Sequence, residues 1–200
     1  MLDFEANIPL VNITSNTRVH PVFTQADGKG FDGSNALAVT KDGDGKYAQQ
    51  SIGQIDNCFM LMDSASVEIG DSKYLLVWID VTEGVDFRKA SFGFADTNGT
   101  VYDCDNKDGR VADLAFYTKA EGSDTWVEMS LGDDGCLGTA QNSSLSGFRG
   151  WIALPLRHIL NDRGNPISSS ATVNKFYMYF DFASINMEGK TFYLDQVVLV

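Results

Sequence analysis

Basic residues are scarce in this sequence of 200 residues, in which 15 Lys and Arg stand against 27 Asp and Glu, for a formal net charge of -12 at pH 7. Nucleic acids and anionic membrane surfaces attract clustered cations, so we expect neither as a partner. Apolar runs are also short, and none approaches the roughly 18 residues that a membrane span needs. We therefore expect no membrane insertion.

Cysteine, histidine and recognisable catalytic motifs are equally sparse. Cys58, Cys104 and Cys136 are an odd set that does not form a disulfide framework, although pairing of Cys104 with Cys136 stays open because both lie in turn-rich acidic segments. His20 and His158 lie far apart, and nothing has the spacing of zinc ligands. Neither a Gly-x-Ser-x-Gly elbow nor a phosphate-binding glycine motif occurs. We expect a protein that is not an enzyme.

Glycine and aromatic residues are plentiful, with 19 Gly, 13 Phe, 7 Tyr and 3 Trp. Aromatic side chains favour strands, and short apolar runs separated by turn residues are typical of a sandwich or barrel. The length fits one domain, residues 1–200. Strands are predicted at Ala36–Thr40, Tyr74–Thr82, Ala90–Asp96, Val111–Thr118, Thr125–Leu131, Gly150–Leu156, Lys175–Phe182 and Thr191–Val200.

Alternating residues on these strands suggest a surface that binds sugar. Sugar rings stack their C–H faces on Trp and Tyr rings while flanking polar side chains bind the hydroxyl groups. On two strands such residues oppose a strongly apolar stripe, and they would form one half-aromatic, half-acidic surface if both strands belong to one sheet. Packing within the sandwich is the alternative for each aromatic residue. The candidates are Trp78, Asp80, Trp126, Trp151, Tyr177, Tyr179 and Asp181.

Four segments carry a family resemblance: Asp3-Phe4-Glu5, the run Gly33–Val39, the run Gly147–Leu156 and the closing Phe192–Leu199. Their order resembles the galactose-binding-like jelly-roll carbohydrate-binding modules of bacterial glycoside hydrolases and of surface proteins that capture polysaccharide. The resemblance implies an all-β, two-sheet antiparallel β-sandwich with jelly-roll topology. It also implies non-catalytic binding of a polysaccharide, most commonly a plant or dietary glucan.

The same resemblance implies a structural Ca²⁺ and an extracellular location. The positions that match the calcium ligands of such modules are Glu5, Asp32 and Asp195, and carboxylate oxygens are ligands that Ca²⁺ prefers. The protein would be secreted or displayed at the cell surface, covalently linked to neighbouring modules of a larger protein. A structural or protein-interaction sandwich, such as a spacer, adhesin or scaffold domain, is the alternative function.

Overall fold

The computed structural model describes residues 3–5, 10–15, 21–41, 56–61, 66–85, 90–104, 115–130, 137, 145–180 and 189–200. In these ranges the chain is built from strands, and its helical segments are two 3₁₀ turns of three residues, Phe31–Gly33 and Leu156–His158. The described part therefore contains no helix of the length and apolarity that crossing a membrane requires.

The strands in chain order are β1 Leu10–Ser15, β2 Pro21–Ala26, β3 Ala36–Lys41, β4 Asp56–Leu61, β5 Val67–Glu68, β6 Tyr74–Asp80, β7 Ala90–Asp96, β8 Val101–Asp103, β9 Ala115–Ala120, β10 Val127–Ser130, β11 Arg149–Pro155, β12 Thr172–Phe180 and β13 Phe192–Leu199.

These strands form two sheets. One has the order β10-β9-β11-β6-β13-β3-β2 and is called sheet 1; the other has the order β1-β4-β12-β7-β8, with β5 paired to one end of β12, and is called sheet 2. Every pairing is antiparallel, and many neighbours, such as β6 and β13, are far apart in sequence. The predicted fold class, an all-β antiparallel sandwich of two sheets, is confirmed.

The core lies between the facing sides of the two sheets. From sheet 1, Leu75, Val77 and Ile79 of β6 are fully buried, and from sheet 2 Phe176 and Phe92 stack with ring centroids 5.7 Å apart. The alternation of these residues along their strands is the period of two that the sequence predicts. Full burial of such a side chain contributes about 1.5–3 kcal/mol to the stability of the folded state. The inward residues of β6 therefore fix the positions of its outward residues.

Two positions show how closely the strands pack. Gly93 of β7 pairs with Asp103 of β8, and a Cβ at Gly93 would overlap the carbonyl oxygen of Tyr102. Pro155 ends β11, which lies between two other strands. It occupies the strand end because proline has no N–H to donate to a sheet.

His158 follows in the second 3₁₀ turn and is held as a neutral ring. Its Nδ1 lies 3.0 Å from the carbonyl oxygen of Ala115, and Arg157 Nε donates to its Nε2 at 3.1 Å. Nε2 therefore accepts, and the proton is on Nδ1. Burial lowers the pKa of His158, the hydrogen bond to Ala115 acts in the opposite direction, and the charge of Arg157 lowers the pKa further.

Candidate functional site

The outward face of sheet 1 collects most of the predicted aromatic residues. Because β6 buries its odd-numbered residues, Leu76, Trp78 and Asp80 point away from the core. The register then places Trp78 between Trp151 of β11 and Asp195 of β13. Three segments that are distant in sequence therefore meet in one row across the sheet.

An open groove runs over the same face beside this row. It has a volume of about 430 Å³ and is called the aromatic groove; its lining residues are Tyr74, Leu76, Tyr117, Trp126, Ala153 and Val200. The rings of Tyr74 and Tyr117 meet edge to face with centroids 6.2 Å apart. Their strands, β6 and β9, flank β11, on which Ala153 pairs with both neighbours. The small Ala153 side chain leaves the space into which the two rings lean.

Trp126 stands at the rim of the aromatic groove, just before the edge strand β10. It is 41% exposed, which is high for so large an apolar side chain. Lys119 Nζ lies 6.0 Å from the centroid of the indole ring, a distance at which a cation is attracted to a ring face. The rest of the ring is exposed to solvent, and its part in binding a ligand stays a prediction.

A charged cluster, defined as Asp80, Glu121 and Arg149, lies at the other end of the face. Arg149 Nη1 is 3.5 Å from Asp80 Oδ2, and Arg149 Nε is 2.9 Å from Glu121 Oε2. The second contact is an ion pair without the alignment of a hydrogen bond, since Nε has no hydrogen-bond partner. Asp80 Oδ1 also accepts the backbone N–H and the hydroxyl of Thr82 at 2.9 and 2.6 Å. The guanidinium is therefore held from two sides.

The two remaining tryptophans of this face differ in their access to solvent. Trp78 is fully buried, and the guanidinium carbon of Arg149 lies 5.2 Å from its ring centroid. Its indole N–H has no partner in the described part of the chain. Trp151 is half-buried, with the Phe31 ring packed edge-on at a centroid distance of 5.1 Å. Trp78 therefore packs beneath the Arg149 side chain without contacting solvent, whereas part of Trp151 is exposed on this face.

The predicted calcium ligands meet at one loop, residues 27–35. Asp195 is fully buried, and its Oδ2 accepts the N–H of Phe31 at 2.9 Å and the hydroxyl of Ser34 at 2.6 Å. Glu5 Oε1 accepts the N–H of Asn35 at 2.9 Å. Asp32 is exposed on the loop with a φ of 53°. The structure therefore places two of the three carboxylates against the backbone of the loop and the third on its surface.

The electrostatics of this loop determine how well it fits a cation. Burial raises the pKa of Asp195; the hydrogen bonds from Ser34, Phe31 and Gln196 lower it, and the charge of Glu5 raises it again. Two carboxylates that repel each other are a fitting pair for Ca²⁺. No group of three His, Cys, Asp or Glu side chains in the described ranges is arranged for a metal, so backbone carbonyls would have to complete the shell. Calcium binding stays a prediction.

The candidates on the predicted strand Lys175–Phe182 lie elsewhere. Tyr177 belongs to β12 in sheet 2, whereas Trp78 and Asp80 belong to sheet 1. The two strands are therefore not in one sheet, and the shared half-aromatic, half-acidic surface does not form. Tyr177 is only 6% exposed. The side chain of Tyr179 and the whole of Asp181 lie outside the described residues.

Sequence reasoning missed three residues of this face, Tyr74, Tyr117 and Glu121. The signal for Tyr117 was present, since it alternates with the core residue Phe116. What the sequence could not supply is the strand order β9-β11-β6, which brings Tyr117 next to Tyr74. Adjacency across strands depends on tertiary pairing, and alternation within one strand only fixes the face.

Comparison with known proteins identifies the fold. No family model matches the chain, and no curated protein sequence matches it. A solved structure of a family 11 carbohydrate-binding module from Clostridium thermocellum, in complex with a β-1,3-1,4-mixed-linked tetrasaccharide, aligns over 100% of this chain and 93% of that one, with a TM-score of 0.56 and 10% identity. The C-terminal family 22 module of Clostridium thermocellum Xyn10B aligns over 100% and 90%, with a TM-score of 0.32 and 12% identity. The chain has the jelly-roll β-sandwich fold of carbohydrate-binding modules, as its sequence motifs predict.

Proposed function

We propose that this protein is a non-catalytic module that binds polysaccharide in the aromatic groove. The observation that carries the proposal is that Tyr74, Tyr117 and Trp126 all line the aromatic groove on the outward face of sheet 1. Aromatic rings around a preformed groove match the alternating apolar faces of a sugar chain and lose little side-chain entropy on binding. The sandwich supplies the rigidity, because the two central strands of the groove, β6 and β11, are anchored by buried apolar residues.

Polar contacts to a chain that extends along the face would come from the charged cluster at the other end of that face. The guanidinium of Arg149 has donors left beyond its contacts with Asp80 and Glu121, and Asp80 Oδ2 can accept from a hydroxyl group. Because the ion pairs already fix the guanidinium, a sugar hydroxyl binds without ordering a flexible side chain. We expect single-site dissociation constants from about micromolar to millimolar, with tight attachment to a polymer arising from several linked modules.

The ligand class that we propose is a β-linked glucan. The family 11 module that shares this fold is in complex with a mixed-linked β-glucan tetrasaccharide, which supports a glucan here. The negative charge of the chain agrees with a neutral polymer, since 27 acidic residues would repel an acidic one. We further propose that the module is extracellular and linked to others.

The proposal excludes hydrolysis of the bound chain. A glycosidase needs two carboxyl groups that flank the scissile bond, roughly 5–10 Å apart. On this face Asp80 and Glu121 are both paired with Arg149. Glu128, which is opposite Tyr117 on β10, is exposed to solvent. We expect no release of reducing ends when the protein is incubated with a polysaccharide that it binds.

Calcium belongs to the proposal as a structural ion at the loop of residues 27–35. Glu5 and Asp195 would hold it together with loop carbonyls, and none of these residues lines the aromatic groove. We expect added Ca²⁺ to raise the melting temperature of chelator-treated protein, and Glu5→Gln to reduce that rise. An identical melting temperature with calcium and with chelator would contradict the structural ion and leave the groove proposal untouched.

Affinity gel electrophoresis tests the proposed function. The protein is run through gels containing mixed-linkage glucan, starch, glycogen, xylan, xyloglucan, mannan or pectin, beside a protein that binds no sugar. We expect retardation by mixed-linkage glucan and none in the gel without polymer. Free migration in every gel would contradict polysaccharide binding and favour the structural or protein-interaction sandwich.

A further inference from the structure

An exposed aromatic ring stands beside the path from the aromatic groove to the charged cluster. Phe31, in the 3₁₀ turn of the loop at residues 27–35, is 40% exposed, and its ring centroid lies 5.1 Å from that of Trp151 at an interplanar angle of 62°. Trp151 is the outward residue of β11 midway between Ala153, in the groove, and Arg149, in the cluster. Successive outward residues of a strand are about 6.6 Å apart. A chain that runs from the groove to the cluster therefore passes the pair of Phe31 and Trp151.

The backbone of Phe31 is held by a buried carboxylate of the sheet beneath it. Asp195 of β13 is fully buried, and its Oδ2 accepts the N–H of Phe31 at 2.9 Å and the hydroxyl of Ser34 at 2.6 Å. Asp195 pairs with Trp78 of β6, which pairs with Trp151 of β11. The contact that holds the loop is therefore two strands away from the ring that Phe31 touches, and the loop approaches Trp151 from the β13 side.

Further contacts fix the conformation of this loop. The N–H of Gly30 donates to the carbonyl of Ser34 at 2.8 Å, and the N–H of Ser34 donates to the carbonyl of Phe31 at 3.0 Å. Gly30 is buried, and a Cβ at this position would lie 2.5 Å from Asp195 Oδ2. Asp32 has a φ of 53°, in the left-handed region that other residues than glycine occupy where their surroundings fix the backbone. Phe31 is therefore presented on a preformed backbone.

The exposure of Phe31 indicates that the loop does more than cover Asp195. A loop that only shielded the buried carboxylate would gain most by burying its apolar side chain as well. Phe31 instead is among the large apolar side chains that the described part of the chain leaves exposed, as is Trp126. A partly exposed ring on a fixed backbone offers a stacking surface at low cost in conformational entropy.

We propose that Phe31 is a further sugar-contacting residue of this face, and that Asp195 is the residue that positions it. Phe31 and Trp151 form one stacking site between the aromatic groove and the charged cluster. A short oligosaccharide that fills only the groove does not reach this site, whereas a longer chain covers both. Phe31 therefore determines how strongly the protein prefers long chains to short ones. This inference rests on the proposed function, because it needs a sugar chain on the outward face of sheet 1.

The exposed part of the Phe31 ring sets the size of the effect. A phenylalanine offers about 200 Å² of surface, so an exposure of 40% leaves roughly 80 Å² for a ligand. Covering between half and all of that area, at roughly 25 cal/mol per Å², tightens binding about fivefold to 30-fold. We expect this factor in the dissociation constant of a long oligosaccharide and not in that of a short one.

Isothermal titration calorimetry with a trisaccharide and a hexasaccharide of mixed-linkage β-glucan tests the role of Phe31. Phe31→Ala should bind the hexasaccharide about fivefold to 30-fold more weakly than the wild type, and the trisaccharide equally well. Phe31→Tyr keeps the ring and should bind both as the wild type does. Val22→Ala is the matched control, because Val22 is 38% exposed and does not line the aromatic groove, and it should also leave both affinities unchanged.

The role of Asp195 is tested with the same two oligosaccharides in the presence of chelator, so that a lost ion cannot explain the result. Asp195→Ala should lose the same preference for the hexasaccharide and keep the affinity for the trisaccharide. Asp195→Asn retains an oxygen that accepts the N–H of Phe31 and should recover part of the preference. Ser34→Ala removes one of the two contacts and should lose part of it, which decides the question if Asp195→Ala does not fold. A residue that only stabilised the fold would change the melting temperature and leave the preference for long chains as it is.

The outcomes separate this inference from the proposed function. A loss of affinity in Phe31→Ala that is confined to the hexasaccharide supports the inference. Wild-type affinity of Phe31→Ala for the hexasaccharide, or an equal loss for both oligosaccharides, would overturn the role of Phe31 and leave binding in the aromatic groove standing. An unchanged preference in folded Asp195→Ala would overturn the positioning role. Binding of neither oligosaccharide by the wild type would contradict the proposed function itself, and this inference with it.

Discussion

Replacing Trp126 with alanine should weaken polysaccharide binding by an amount that its exposure sets. The residue is 41% exposed, and a tryptophan offers up to roughly 250 Å² of surface, so about 100 Å² is available to a ligand. Covering between half and all of it contributes about 1.25–2.5 kcal/mol to binding at roughly 25 cal/mol per Å². That free energy corresponds to a dissociation constant raised by about eightfold to 70-fold.

Isothermal titration calorimetry with a mixed-linkage glucan oligosaccharide measures this change. Val127→Ala is the matched control, because Val127 is the next residue, is 53% exposed and does not line the aromatic groove. We expect the control to bind as the wild type does, and both variants to keep the wild-type melting temperature within a few degrees. Equal affinity of Trp126→Ala and wild type, or an equal loss in Val127→Ala, would refute stacking on this ring.

Three further predictions concern the scaffold. Arg149→Ala should weaken binding and also lower the free energy of unfolding by about 1–3 kcal/mol, because it leaves the buried Asp80 carboxylate without its cation; denaturant titration measures this, and an unchanged midpoint would contradict it. Gly93→Ala should lower the free energy of unfolding by about 3 kcal/mol or more, since the added Cβ overlaps the Tyr102 carbonyl, and a wild-type melting curve would contradict the close packing of β8. The pKa of His158 is lowered in the folded state, so as the pH falls the unfolded chain binds a proton at His158 before the folded chain does. From about pH 7.5 to 5 the free energy of unfolding of the wild type should therefore fall relative to that of His158→Gln, by at most about 1.4 kcal/mol per pH unit, and parallel pH profiles of the two proteins would refute this.

The sequence was enough to predict the fold because its strands alternate strongly. The predicted strand Tyr74–Thr82 forms β6, and its alternate apolar residues Leu75, Val77 and Ile79 are fully buried in the core. The closing segment also forms a strand as predicted, at Phe192–Leu199. Period-two alternation reports burial on one face directly, so these elements needed no knowledge of their neighbours.

The site was harder to predict because it depends on which strands are neighbours. Alternation placed Trp78 and Tyr177 on outward faces in the same way, yet they belong to different sheets, and both are buried. Trp78 is covered by Arg149, a residue 71 positions away whose approach follows from the pairing of β11 with β6. Conversely, the groove depends on Ala153, whose small size matters only because two tyrosines flank it.

The most direct test of the aromatic groove compares wild type with a Tyr74→Ala/Tyr117→Ala variant in affinity gels that contain mixed-linkage glucan. Thermal melts of both proteins verify that the variant is folded. The account predicts that the polymer retards the wild type and that the variant migrates as it does in a gel without polymer. Equal retardation of the two proteins, or no retardation of the wild type, would contradict binding in this groove.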